Sequence, residues 1–321
     1  MQAKAMGVKA IKTVDSIVNN AILVIIVALI AFAGYSLWDS KQITGAADKS
    51  NYEIYKPMAE DEGASFEQIR AVNPEVIAWL EVYGTNIDYP VTQAADNTKY
   101  VNTNALGKYS LSGAIFLDAD NSKDFSDFNS VLYGHHMEKN VLFGEIGSFA
   151  DKDVFETHRY GNLYFEGKDH GIEFCAYLRA DAYDRSVFAA IAPENQRHGD
   201  GEKKKQYLTS IISKAMHTRD VSISDKDRLV LLVTCSTDAT NGRDILIGRL
   251  TEEVFADPFA VGDPGAGKGG FAAEFLYGDA VETSRLLLRV AFALFAAIVI
   301  LAMVRSHRRK YKKEAGNETI L

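Results

Sequence analysis

Two long apolar stretches lie near the ends of the chain, and a patterned region separates them. Ile17–Leu37 is almost wholly apolar, and Ala21–Gly34 within it carries no polar side chain. Leu286–Val304 is interrupted only by Arg289, near one end. A helix needs about 20 apolar residues to cross a bilayer core. Both stretches are therefore predicted to be transmembrane helices, over residues 17–38 and 285–304.

Basic residues flank the outer end of each stretch. Lys4, Lys9 and Lys12 precede the first, and a run of arginines and lysines follows Val304. The positive-inside rule then places residues 1–16 and the basic tail 305–321 in the cytoplasm, with the region between the helices outside the cell. An alternative for the first stretch is a cleaved signal peptide, because Ala31-Phe32-Ala33 resembles a cleavage site.

The region between the two stretches divides into three parts. Residues 39–51 are polar and are predicted to form a stalk that leaves the membrane. Residues 52–260 hold the regular patterning and are predicted to be the folded domain. Residues 261–284 begin with the glycine-rich run VGDPGAGKGG and are predicted to be a linker.

Short runs of apolar and β-branched residues dominate the folded domain. They predict strands over Val76–Val82, Ile87–Thr92, Ala114–Leu117, Val131–Gly134, Leu163–Phe165, Ile172–Leu178, Leu229–Thr234 and Asp244–Leu250. Short helices are predicted over Ser65–Val72, Val141–Ile146 and Phe149–Phe155. A longer helix is predicted over Lys203–His217, where apolar residues recur at helical spacing. Seven or eight short strands with few helices indicate a mostly β domain, either a barrel or a sandwich.

Charge narrows the classes of partner. The net charge is −8 although both termini are basic, so the folded domain is strongly acidic and a poor candidate for nucleic-acid binding. Asp118–Asp127 carries four aspartates, which we interpret as a solvated loop; a calcium site is the alternative, although no EF-hand pattern is present. No metal or cofactor is predicted.

Three residues at predicted strand ends have the side chains that acyl transfer needs. Cys235 follows Leu232-Val233-Thr234, His135 follows Tyr133-Gly134, and Arg243 directly precedes the last predicted strand. A thiol, an imidazole and a guanidinium supply a nucleophile, a proton carrier and an oxyanion clamp. Each residue also has a structural interpretation: Cys235 as a buried strand residue or a disulfide partner of Cys175, His135 and Arg243 as surface residues.

Taken together, these segments resemble the sortase family, the membrane-anchored cysteine transpeptidases of Gram-positive bacteria. The resemblance covers roughly Tyr52–Phe259. It is closest to class B, on three features: the block Pro74–Leu80 with Gly84–Val91, the histidine block Tyr133–Met137 with Leu142-Phe143-Gly144, and the long insertion Ala180–Asp227. The resemblance implies a closed eight-stranded β-barrel with an N-terminal helical extension and a helix in that insertion.

The resemblance also implies the reaction and its residues. His135, Cys235 and Arg243 would be catalytic. Thr234 and Ser236, on either side of Cys235, are our own candidates for substrate contact. Cys235 would attack a C-terminal sorting signal resembling LPxTG or NPxTN on a surface or pilin protein. A peptidoglycan precursor amine or a pilin lysine would then accept the acyl group.

The chain departs from class B in one respect, and two other functions stay open. A second membrane segment is more typical of class C, yet no Asp-Pro-aromatic lid precedes the catalytic core; Asp257-Pro258-Phe259 follows it. The same three residues would serve a membrane-tethered cysteine hydrolase that uses water as the acceptor. A non-enzymatic surface assembly protein would need no accessible thiol.

Overall fold

A computed structural model of the chain describes residues 2–58, 63–188, 201–221, 223–224, 226–235 and 241–260. The helices within them are α1 (Gln2–Ala46), α2 (Ala64–Val72), α3 (Lys152–Thr157), α4 (Arg185–Phe188) and α5 (Gly201–Lys214). The strands are β1 (Val76–Val82), β2 (Asp88–Thr92), β3 (Ile115–Leu117), β4 (Asn129–Tyr133), β5 (Tyr160–Phe165), β6 (Lys168–Asp181), β7 (His217–Thr218), β8 (Arg228–Cys235) and β9 (Gly242–Thr251). The predicted linker 261–284, helix 285–304 and tail 305–321 lie outside the described residues.

Eight of the nine described strands close into a barrel. Their order is β5-β1-β2-β3-β4-β8-β9-β6, and β5 also pairs with β6, which completes the ring. The two-residue strand β7 is added at the side of β6. Closure removes the exposed sheet edges that an open sheet would leave. The prediction of a closed eight-stranded barrel is confirmed, and the sandwich alternative is wrong.

Strands β8 and β9 of this ring are buried on both faces. Leu232 and Leu246 face the core inside the barrel, whereas Val233 and Ile245 belong to a second cluster outside it. The insertion covers this second cluster, with Ile211 of α5 packed into it. Strands buried on both sides need continuous apolar runs rather than alternation. This requirement explains the unbroken apolar sequence of β8.

The N-terminal helix α1 is long and apolar. Within Thr13–Ala46 an 18-residue window has a mean hydropathy of 2.5, and in the described part of the chain this is the single helix long and apolar enough to cross a membrane. The helix continues through Asp39–Ala46. The first half of the predicted stalk is therefore helical.

The predicted helix over Val141–Ile146 is wrong. Asn140 and Leu142 adopt φ values of 58° and 51°, and the backbone of Leu142 bridges to that of His136. Positive φ at non-glycine residues is incompatible with a right-handed helix. The segment is instead a turn that leads into a 3₁₀ helix over Ile146–Ala150.

Two other predicted helices have different bounds. The helix expected over Phe149–Phe155 is broken at Asp151, whose side chain caps α3 by accepting hydrogen bonds from the N–H groups of Asp153 and Val154. The helix expected over Lys203–His217 ends at Lys214. His217 pairs with Tyr177 in the sheet, and this long-range pairing overrides the local helical pattern.

The aspartate-rich loop is not simply solvated, which corrects our interpretation. Asp118 and Asp127 are buried, and each carboxylate has a polar partner. Asp127 accepts a hydrogen bond from the Asn121 amide at 2.9 Å, and Asp118 accepts one from the Tyr133 hydroxyl at 3.0 Å. These two carboxylates therefore hold the loop against the barrel.

Candidate functional site

Three neighbouring strands bring the predicted catalytic residues to one edge of the barrel. β4 and β8 run parallel, with Tyr133 paired to Val233. β8 and β9 run antiparallel, with Cys235 paired to Arg243. His135 lies two residues beyond Tyr133, just as Cys235 lies two residues beyond Val233. The backbone at Cys235 is therefore flanked by Arg243 on one side and by the His135 segment on the other.

A cleft of about 320 Å³ opens at this edge. It is lined by Asn97, Val101, Phe116, Tyr133, Gly134, His135, Val233, Thr234 and Arg243. Its walls are largely apolar, and the imidazole and the guanidinium are its titratable polar groups apart from the Tyr133 phenol. An apolar cleft with a few convergent polar groups is typical of a binding or catalytic site.

The imidazole of His135 is fixed by a main-chain contact. Its Nε2 lies 2.9 Å from the carbonyl oxygen of Val101. A carbonyl can only accept, so Nε2 carries a proton and donates it. In the neutral ring, Nδ1 is then the basic nitrogen. The hydrogen bond thus selects the tautomer as well as the ring orientation.

The turn before His135 requires a glycine. A Cβ atom built at Gly134 would lie 2.7 Å from the Phe143 ring, closer than real Cβ atoms pack. The N–H of Phe143 in turn donates to the carbonyl of His135 at 3.2 Å. The two parts of the histidine block, which are separated in the sequence, therefore pack together directly behind the imidazole.

His136 points away from this cleft, as the alternation of an extended chain predicts. It lies with Met137 beside the C-terminal half of α1, where they line a separate groove of about 380 Å³. The two adjacent histidines therefore occupy different surroundings, and His135 alone of the pair lines the cleft.

The guanidinium of Arg243 is partly buried at the cleft. Its Nη1 donates to the carbonyl of Gly242 at 3.0 Å, so the side chain folds along the start of β9. An arginine carries five donors in a planar fork. One contact to a carbonyl leaves most of this fork for other acceptors.

The two residues predicted to contact substrate have different outcomes. Thr234 lines the cleft but is only 2% exposed, and its hydroxyl is buried without a partner among the described residues. Its hydroxyl therefore does not reach the cleft surface. Ser236 lies outside the described residues.

The second cysteine is structural. Cys175 is a free thiol on β6, buried, and its Sγ donates to the carbonyl of Ile247 at 3.4 Å. Burial raises the pKa of its thiol to about 12. The disulfide considered between Cys175 and Cys235 is not formed, and the interpretation of Cys175 as a small core residue is confirmed.

Sequence reasoning missed three residues of the cleft: Asn97, Val101 and Phe116. They follow β2 or lie in β3, far from any catalytic motif. The amide oxygen of Asn97 accepts a hydrogen bond from the N–H of Ala119 at 2.8 Å, which closes one side of the cleft. No local pattern marks these residues, because their role depends on the order of strands in the barrel.

Comparison with known proteins places the chain among sortases of class B. No protein-family model matches the chain. A curated relative, sortase B of Listeria monocytogenes, is 26% identical over 249 residues, which cover 74% of this chain and 98% of the relative.

Solved structures of class B sortases are also similar to this chain. Sortase B from the type II pilus of Streptococcus pneumoniae is 42% identical, with a TM-score of 0.50 over 59% of this chain and 99% of the other. A class B sortase of Streptococcus pyogenes involved in pilus biogenesis is 35% identical, with a TM-score of 0.52 over 59% of this chain and 99% of the other.

Proposed function

The chain belongs to the sortase family and is class B-like, and from this premise we propose that it is a membrane-anchored cysteine transpeptidase. The observation that carries the proposal is the meeting of three strand segments at one cleft. β4 leads to His135, β8 ends at Cys235, and β9 begins beside Arg243.

The proposed reaction has two steps. In the first, the sulfur of Cys235 attacks a backbone carbonyl in the sorting signal, the peptide C–N bond breaks, and a thioester forms. His135 takes the thiol proton of Cys235 on Nδ1 and gives it to the departing amine. In the second, a new amine attacks the thioester and passes a proton to His135. An amide forms and the thiol of Cys235 is regenerated, so the steps balance without a metal or cofactor.

The tautomer of His135 supports this role. Because the Val101 carbonyl engages Nε2, Nδ1 is the nitrogen that exchanges protons with the reacting groups. A fixed ring loses less orientational freedom when the substrate arrives, and such positioning lowers the barrier.

Arg243 is proposed to stabilise the oxyanion of the tetrahedral intermediates. It lines the cleft and pairs in register with Cys235, so its donors lie on the strand next to the nucleophile. Donors aimed at a developing oxyanion typically contribute about 3 kcal/mol to catalysis.

The proposed substrates are surface or pilin proteins with a sorting signal resembling LPxTG or NPxTN. The acceptor is a peptidoglycan precursor amine or a pilin lysine. Likeness to two sortases from pilus systems favours the pilin lysine. β6 ends at Asp181, paired with Gly242, so the insertion leaves the barrel beside Arg243 and is placed to contribute to specificity.

The proposed location is the cell membrane, with the catalytic domain outside and both termini in the cytoplasm. The apolar helix α1 supports an N-terminal anchor. The apolar stretch Leu286–Val304 and its basic flank support a second one. In this arrangement residues 52–260 form the catalytic domain and 261–284 the linker.

The full chain in detergent micelles, incubated with sorting-signal peptides and candidate amines, tests the proposal by mass spectrometry. We expect a peptide–amine adduct with the wild type, none with Cys235→Ala, and near-wild-type yield with the matched control Cys175→Ala. An adduct formed by Cys235→Ala would overturn the proposal. A hydrolysed peptide with every amine tried would instead identify a cysteine hydrolase.

A further inference from the structure

A buried carboxylate lies next to Arg243 in the chain. Asp244 is 1% exposed, and its Oδ1 accepts hydrogen bonds from the Tyr177 hydroxyl at 2.7 Å and from Nε of Arg179 at 2.8 Å. A buried charge is tolerated when an opposite charge and hydrogen bonds compensate it. Arg179 and Tyr177 supply both.

This cluster lies one register position from the proposed catalytic pair. Across β8, β9 and β6, Thr234 pairs with Asp244, and Asp244 pairs with Arg179. The next row along the same strands holds Cys235 and Arg243. The three rigid strands therefore couple the position of Asp244 to that of the neighbouring row.

The ion pair and the guanidinium of Arg243 lie on opposite faces of β9, because neighbouring side chains of a strand alternate. Leu246, two residues from Asp244, belongs to the core inside the barrel, whereas Ile245, two residues from Arg243, belongs to the cluster outside it. Arg179 therefore holds Asp244 from inside the barrel, at the point where β9 begins. Arg243 extends from the same piece of backbone toward the cleft.

We propose that Arg179 and Asp244 form a charge-balanced positioning pair, which anchors the start of β9 from inside the barrel and so fixes the backbone from which Arg243 reaches the cleft. The pair acts through Arg243 and touches no substrate. This inference rests on the proposed function, in which Cys235 is the nucleophile and Arg243 faces the reacting atoms.

The pair also sets the charge near the nucleophile. Titratable or charged groups near the pair include Tyr177 and Asp181 of β6, Arg243 of β9, His135 and Tyr133 at the end of β4, Asp118 bonded to Tyr133, and His217 of β7, whose ring stacks on Tyr177. With Arg179 and Asp244 both charged, their net contribution is near zero. Removing either one leaves an unbalanced unit charge close to Cys235.

The pH dependence of Cys235 alkylation by iodoacetamide measures this balance in the full chain in detergent. Only the thiolate reacts, so the midpoint of the pH–rate profile reports the pKa of the thiol. We expect Arg179→Met to raise the midpoint by about 0.5 pH unit and Asp244→Asn to lower it by a similar amount, the order of magnitude for one unit charge acting across a strand at a high effective dielectric constant. The double variant is expected to return to the wild-type midpoint. Cys175, with its raised pKa, is the slow internal reference.

Two variants keep the test decisive if Arg179→Met fails to fold. Arg179→Lys retains the charge and Tyr177→Phe removes only a hydroxyl, so neither is expected to move the midpoint although both lower stability. Equal midpoints in Asp244→Asn and the wild type would overturn the inference, as would shifts of one sign in both charge variants. If Cys235 is not alkylated in any form, the proposed function fails instead.

Discussion

The Nε2 atom of His135 donates a hydrogen bond to the main-chain carbonyl of Val101 at 2.9 Å, across a sequence separation of 34 residues. The partner is a backbone group and cannot be removed by substitution at position 101. The loop after β2 therefore holds the imidazole through its own conformation. Changes to that loop are expected to affect catalysis without any contact to substrate.

The two adjacent histidines are expected to differ sharply in function. His135→Ala should lower the rate of peptide–amine transfer by about 10²–10⁴-fold, the usual contribution of a general acid–base. The matched control His136→Ala should retain most activity, because that side chain lies toward α1. Steady-state transfer assays on both variants measure this. A comparable loss in His136→Ala would contradict the assignment.

Gly113 packs closely against the main-chain carbonyl of Val101. A Cβ atom at this position would clash with the carbonyl oxygen of Tyr100 and would lie 2.7 Å from that of Val101. Gly113→Ala should therefore displace the acceptor of His135, and we expect a fall in kcat together with a loss of stability.

Gly107→Ala is the matched control for Gly113→Ala. Gly107 has the same left-handed backbone, with φ of 75°, but the nearest atom to an added Cβ is 4.0 Å away. Both substitutions carry the strain of a left-handed residue, about 1–2 kcal/mol. Only Gly113→Ala should lower kcat in the transfer assay. Equal kcat values in the two variants would show that the loop does not hold His135.

Arg243→Lys is expected to lower kcat by about 10²-fold although the charge is retained. An ammonium cannot reproduce the planar fork of donors, and losing an oxyanion donor typically has an effect of this size. The control Arg70→Lys changes an exposed arginine that pairs with Glu67 on α2. Transfer kinetics at saturating peptide distinguish them. If Arg243→Lys were as active as Arg70→Lys, charge alone would suffice.

Stability is expected to fall below about pH 6.5 because of His170. This side chain is 1% exposed and stacks on Phe165 with ring centroids 3.8 Å apart. Burial lowers the pKa of its imidazole, although the nearby Glu252 carboxylate opposes the shift. The unfolded chain therefore takes up a proton near the ordinary pKa of about 6.5, before the folded chain does, so acidification favours unfolding.

Urea unfolding at pH 7.5 and 5.5 measures this effect. The wild type should lose stability between the two values. His170→Gln should be less stable at pH 7.5 because the stacking is lost, but its change between the two pH values should be smaller. A variant with the same pH-dependent change as the wild type would exclude His170 as the cause.

Local patterns predicted the strands well and some helices poorly. The apolar run of β8 and the position of Cys235 at its end follow directly from the sequence. The helix expected over Val141–Ile146 failed because left-handed residues and a bridge to His136 bend the chain there. Such features arise from packing behind the histidine block, which no short window of sequence contains.

The candidate site likewise contains residues that the sequence predicted and residues that it did not. The motifs identified His135, Cys235 and Arg243, because their residue types are the ones that acyl transfer requires. Patterns did not reveal Val101 or the Arg179–Asp244 pair. Each of these contacts joins segments more than 30 residues apart. The sequence alone also does not distinguish a buried aspartate from an exposed one.

The sequence by itself determined the apolar stretch that forms α1, the mostly β character of the domain, and the chemical types available at the strand ends. Only the tertiary structure decided that β4 lies parallel to β8 and that β1 pairs with β5. The reason is physical. The spacing of apolar residues, which indicates a strand or a helix, is a property of residues only a few positions apart. Strand order and register are set by the burial of whole faces against partner strands, which lie about 80–100 residues away in these two pairs.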